Sequence, residues 1–165
     1  MPDQSFDSKD AMRAHDHAGC VARVLEDAEA MAKARGARFT PVRRRTLEIL
    51  LESHNALGAY DVLKRLDAEG FGSQPPVAYR AIEFLVELGV AHRIEKLNAF
   101  VACMTPREGH QPAFMICRSC RVVAEVAAPP SGAALAADAA AAGFEIERTV
   151  VEAEGLCPKC QTATP

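Results

Sequence analysis

Apolar residues recur at helical spacing over residues 21–34, where Val21, Val24, Leu25, Ala28 and Met31 share one face. Gly36 closes that stretch. Thr40-Pro41 then supplies an N-cap followed by proline at the first helical position, which predicts a second helix to about residue 53. Its apolar face is Val42, Leu47, Ile49, Leu50 and Leu51, while Arg43, Arg44 and Arg45 crowd its first two turns. Cations there oppose the helix dipole, so local stability does not explain them. A short third helix is predicted over 59–68, before Gly70. Pro75-Pro76 starts a fourth that ends at Gly89, with Val77, Ala81, Phe84, Leu85 and Leu88 in one stripe. Tyr79 points nearly opposite that stripe and Arg80 lies on its flank.

The period then changes. Residues 90–95 and 99–103 flank Lys96-Leu97-Asn98 as a predicted hairpin. Residues 104–112, with Pro106, Gly109 and Pro112, read as a hinge. Strands are predicted over 113–117 and 122–126, then an alanine-rich helix over 131–142 and a strand over 144–154. Residues 1–20 are polar without a sustained period and read as a mobile arm. Helices followed by a two-stranded hairpin give the order of a winged helix-turn-helix. The predicted class is therefore α+β: a winged-helix DNA-binding domain over 21–103, then a small α/β domain over 113–165.

Composition narrows the function. The chain has 165 residues, 49% hydrophobic and 25% charged, an ordinary globular balance. No run approaches a membrane span and no signal peptide is legible, which predicts a cytoplasmic protein with no membrane partner. Aromatics at 5% with no Trp argue against a platform for stacking single strands. The net charge of −3 hides an uneven distribution: residues 21–103 hold 12 basic and 11 acidic side chains, and both flanks are acidic. Six cysteines in such a chain point to metal binding or redox work.

Four of the six form two pairs, Cys117-Arg-Ser-Cys120 and Cys157-Pro-Lys-Cys160. Each Cys-x-x-Cys lets two thiolates grip one tetrahedral ion from a tight turn, and two pairs make a closed structural zinc site. A disulfide or a thioredoxin-like redox motif is the competing reading. It predicts thiol–disulfide turnover, although a redox pair normally stands alone at a helix N-terminus. His92, Cys103, His110 and Glu125 remain as donors near the hairpin, hinge and second domain. Held by one ion, they would fix the angle between the two domains. One thiolate beside imidazoles favours zinc over iron or manganese. The competing reading makes His92 a satisfied wing histidine, Cys103 a small hydrophobe and Glu125 a solvated strand residue. His15, His17 and Cys20 also form a ligand-like run, which on an arm reads as solvated or as an auxiliary zinc site.

Ala37-Arg-Phe-Thr-Pro-Val-Arg43, Ala59-Tyr-Asp-Val62, Pro75-Pro-Val-Ala-Tyr-Arg-Ala-Ile82 and Gly155-Leu-Cys-Pro-Lys-Cys160 resemble the ferric uptake regulator family of bacterial metal-responsive repressors. Within it the chain looks most like the zinc uptake regulator branch. The resemblance implies a homodimer through the second domain, Cys117, Cys120, Cys157 and Cys160 on structural zinc, and His92, Cys103, His110 and Glu125 on sensing zinc. It thus implies two zinc sites per subunit and double-stranded operator DNA as the partner of the loaded dimer. An iron- or peroxide-responsive regulator is the alternative within the family. In a winged helix the second helix of the motif enters the major groove, which puts Tyr79 and Arg80 at the bases. Tyr60, Arg43 and Arg44 are then expected at phosphates, which position the protein without specifying sequence.

Overall fold

This computed structural model describes residues 17–106, 112–127 and 132–162. The predicted arm up to Asp16, the central part of the predicted hinge with His110, and His15 lie outside the described residues. The first helix, α1 (His17–Ala34), starts earlier than the sequence pattern predicts. Tertiary contacts are the reason: the His17 ring meets the Leu51 carbonyl oxygen at 2.5 Å, and Cys20 and Val21 pack on the main core. His17 and Cys20 are therefore helix residues and not part of an arm.

Helices α2 (Pro41–Leu51), α3 (Ala59–Ala68) and α4 (Pro75–Leu88) follow, each close to its predicted bounds. Proline opens α2 and α4, and Gly89 caps α4 in the left-handed region at φ 87°. The arginines on α2 find partners on α2 itself and on neighbouring segments. Arg44 pairs with Glu29 and Glu48, while Arg45 reaches Glu48, Glu52 and Glu69. Val24, Leu47, Leu50, Val62, Leu66, Ile82 and Leu85 are all fully buried and join the four helices in one core.

Strands β1 (Ala91–Ile94) and β2 (Ala99–Ala102) pair antiparallel as the wing, turning at Asn98 with φ 46°. A second sheet has the order β4-β3-β5, built from β3 (Pro112–Cys117), β4 (Val123–Ala127) and β5 (Val151–Gly155). Helix α5 (Gly132–Ala141) connects β4 to β5, and α6 (Pro158–Thr162) ends the described chain. The strand predicted over 144–154 shortens to Val151–Gly155 because β5 pairs parallel with β3, from Ala113 opposite Val151. Residues 144–150 lie outside any strand. Helix α6 is an addition to the sequence prediction.

The wing and the second sheet are packed together. Ile94 and Val101 of the wing share a small core with Phe114, Ile116 and Val123 of the sheet. The loop after α2 stitches the same junction, since the Val123 N–H donates to the His54 carbonyl at 2.9 Å and Leu57 exchanges backbone bonds with Phe100. This junction is what positions the ligand-bearing residues.

Candidate metal centres

Each Cys-x-x-Cys follows the end of a strand. Cys117 closes β3, and Cys157 lies just past β5, where Cys117 is in register with Gly155. Because β3 and β5 are parallel neighbours, their ends lie side by side. A parallel pair needs a crossover, and β4 with α5 is that crossover. The long sequence gap between the two pairs is thereby accounted for. Arg121, at φ 62°, turns the chain after Cys120, and α6 turns it after Cys157.

The four sulfurs all lie within 4.8 Å of one another. Cys120 Sγ and Cys157 Sγ are 3.7 Å apart. That separation is far beyond a disulfide bond. It matches the edge of a tetrahedron with metal–sulfur bonds of about 2.3 Å, which is ~3.8 Å. None of the four is in a disulfide. Backbone N–H groups of Cys120 and then Cys157 point at the Cys117 sulfur and lower its pKa to about 6. Cys117 is thus ready to ligate as a thiolate near neutral pH. Donor type, spacing and charge fit a structural zinc ion.

The second group gathers at the wing–sheet junction. His92 projects from β1, Cys103 follows β2 and Glu125 projects from β4; their ligand atoms lie within 4.8 Å of one another. Glu125 Oε1 is 3.2 Å from His92 Nε2 and 3.6 Å from Cys103 Sγ. The Met104 N–H donates to its other oxygen at 3.3 Å. Cys103 is fully buried and Glu125 is 8% exposed, which rules out the reading of Glu125 as a solvated strand residue. Burial first, and the Glu125 carboxylate second, push the Cys103 thiol well above its ordinary range. A buried thiol and carboxylate with a partly buried imidazole beside them form a donor set that a divalent cation fits. The His92 ring also rests against Phe114 on β3, with centroids 5.4 Å apart. Phe114 escaped the sequence reading because its alternation on β3 marks it only as core.

The residues expected at DNA lie elsewhere. Tyr79 is 52% exposed on the N-terminal half of α4, and Tyr60 is 67% exposed at the start of α3. Arg80 is exposed beside Tyr79 and has no ion-pair partner among the described residues. Arg43 and Arg44 are occupied within the protein. Arg43 stacks 3.6 Å over the Phe84 ring and donates to the Arg38 carbonyl, and Arg44 is held by Glu29 and Glu48. Among the described residues no helix is long and apolar enough to cross a membrane.

Residues 34–154 match the ferric uptake regulator family. The zinc uptake regulation protein of Escherichia coli (strain K12) is 35% identical over 138 residues, which cover 83% of this chain and 81% of that protein. A solved zinc uptake regulator complexed with zinc and DNA superposes with a TM-score of 0.82 at 33% identity, over 87% of this chain and 96% of that one. The crystal structure of holo XcZur gives a TM-score of 0.75 at 33% identity, over 84% of this chain and 96% of that one.

Proposed function

This chain belongs to the ferric uptake regulator family, and from that premise we propose that it is a zinc-responsive transcription repressor. It binds double-stranded operator DNA as a zinc-loaded homodimer in the cytoplasm and silences zinc-uptake genes. The observation that carries this reading is the meeting of His92, Cys103 and Glu125. Two of these donors belong to the wing and one to the second sheet, so one ion there would tie the DNA-reading unit to the other half of the chain. His110 is the proposed fourth ligand. Cys117, Cys120, Cys157 and Cys160 are the proposed structural site, which makes two zinc sites per subunit. The thiol of Cys103 supports zinc over iron or manganese, which favour oxygen and nitrogen donors.

When bound, zinc would supply the divalent charge that keeps the Cys103 thiol ionised and compensates the buried carboxylate of Glu125. The protein's own part is mechanical. His92 holds the root of the wing, Phe114 orients the His92 ring, and Glu125 meets both wing donors from the sheet. With the junction held, α4 keeps a fixed direction relative to the partner subunit. The exposed half of α4 then carries Tyr79 and Arg80 into the major groove, Arg80 toward guanine and Tyr79 toward a thymine methyl. Tyr60 contacts phosphate, and Arg43 and Arg44 join it by exchanging their intramolecular partners. Exposed apolar residues Leu135, Phe144 and Val150 support a surface in the second unit that the other subunit covers.

Operator binding titrated against buffered free zinc, iron and manganese tests the proposal. Zinc should induce binding at the lowest free concentration. Equal binding without metal, or a response to iron alone, would remove it.

A further inference from the structure

One row of the second sheet carries more than a metal ligand. Glu125 on β4 and Glu152 on β5 are both paired in register with Phe114 on β3, so the three side chains emerge on one face. Glu125 and Phe114 meet His92 at the root of the wing. Glu152 meets its tip. One carboxylate oxygen of Glu152 accepts the Glu95 N–H at 2.6 Å, and the other accepts the Lys96 N–H at 2.9 Å. Two charge-assisted bonds from consecutive amides make a directional grip on the hairpin turn.

Nearby ion pairs are more exposed. Arg148 reaches Glu95 at 2.7 Å and Lys96 reaches Glu154 at 3.8 Å, but these side chains are solvent-exposed and such pairs contribute little. Glu152 is half-buried and bonds to backbone, so its contact does not depend on a flexible partner side chain.

We infer that Glu152 is a positioning residue for DNA reading: it clamps the tip of the wing to β5 while the His92–Cys103–Glu125 cluster clamps the root. A wing held at its root and by the small core it shares with the sheet can still pivot at its tip, and a second polar contact there restricts that pivot. The inference rests on the sensing-site reading above. It adds that metal at the root is insufficient, and that the wing angle needs the second contact. The sequence did not single out Glu152, because it is one of several acidic residues in a stretch that alternates with apolar ones.

Hydrogen exchange of the Glu95 and Lys96 amides in the zinc-loaded, full-length dimer tests the clamp without DNA. These amides should exchange roughly tenfold faster in Glu152→Ala. Glu152→Gln should give an intermediate rate, since one of its two terminal atoms becomes an NH2 that cannot accept from a backbone N–H. Bound zinc per subunit and the exchange of β3 and β5 should not change. A brace for the sheet alone would instead raise exchange in β3 and β5, and unchanged rates at 95 and 96 in Glu152→Ala would also overturn the inference. Affinity for a duplex selected by the zinc-loaded parent should fall roughly tenfold in Glu152→Ala. If the parent itself shows no zinc-dependent DNA binding, the functional reading fails, and the amide rates still decide the clamp.

Discussion

Cys103 is fully buried with its sulfur 3.6 Å from the Glu125 carboxylate, so its replacement alters the donor set without opening a large cavity. Cys103→Ser should keep fold and dimer, bind one zinc fewer per subunit and lose zinc-dependent DNA binding. Metal analysis alongside fluorescence anisotropy with labelled duplex checks this. Retention of the full zinc response in Cys103→Ser would count against the sensing site. Arg80 is exposed and has no ion-pair partner among the described residues, leaving its guanidinium available. Arg80→Ala should cost about 1–3 kcal/mol of operator affinity and relax preference at one base position, as read by competition with single-base operator variants. At this scale the sequence supplied the donors through residue type and order. It could not supply Phe114 or Glu152, whose roles come from lying in one row with Glu125 across three strands.

The elements were legible where a pattern is closed by its own punctuation. Helices α3 and α4 have Gly70 and Gly89 just beyond them and an apolar face that repeats at helical spacing. Gly89 needs its left-handed φ of 87° to turn α4 into the wing. Gly89→Ala should therefore destabilise the protein by about 1–2 kcal/mol in urea unfolding. Leu85→Ala, at a fully buried position on α4, should cost about 2–5 kcal/mol in the same measurement. Elements that depend on a distant partner were less legible. Residues 144–150 alternate like a strand, yet pairing starts only at Val151 opposite Ala113. The start of α1 moved to His17 because the Leu51 carbonyl and the main core receive it.

For the whole molecule the two proposed metal centres have separable consequences. The four-cysteine cluster joins the ends of β3 and β5, and the peptide between them is the crossover. Cys157→Ser should lose the structural zinc and the dimer together, since metal binding of this kind is also folding free energy. Sedimentation velocity and metal analysis would detect both losses, and a fully dimeric Cys157→Ser protein would contradict the assignment. A chelator that strips only the sensing metal should leave dimers intact while DNA binding falls. The same division appears in the charge. The net charge of −3 hides a helical unit with a slight basic excess, and there Arg44, Arg45 and Arg65 are matched by glutamates in the fold. Non-specific DNA affinity should be modest for that reason, leaving the metal state to decide occupancy.

The sequence alone determined the helical order, the wing and the paired Cys-x-x-Cys motifs, and it left the second donor set with two readings. The first three follow from periodicity, turn residues and spacing, which are local. Only the tertiary structure decided which arginines are spent on intramolecular glutamates and where β5 begins. It also brought His92, Cys103 and Glu125 within reach of one ion, and set Glu152 against the wing tip. Each of those depends on strand register or on packing between segments distant in the chain, and local pattern carries neither.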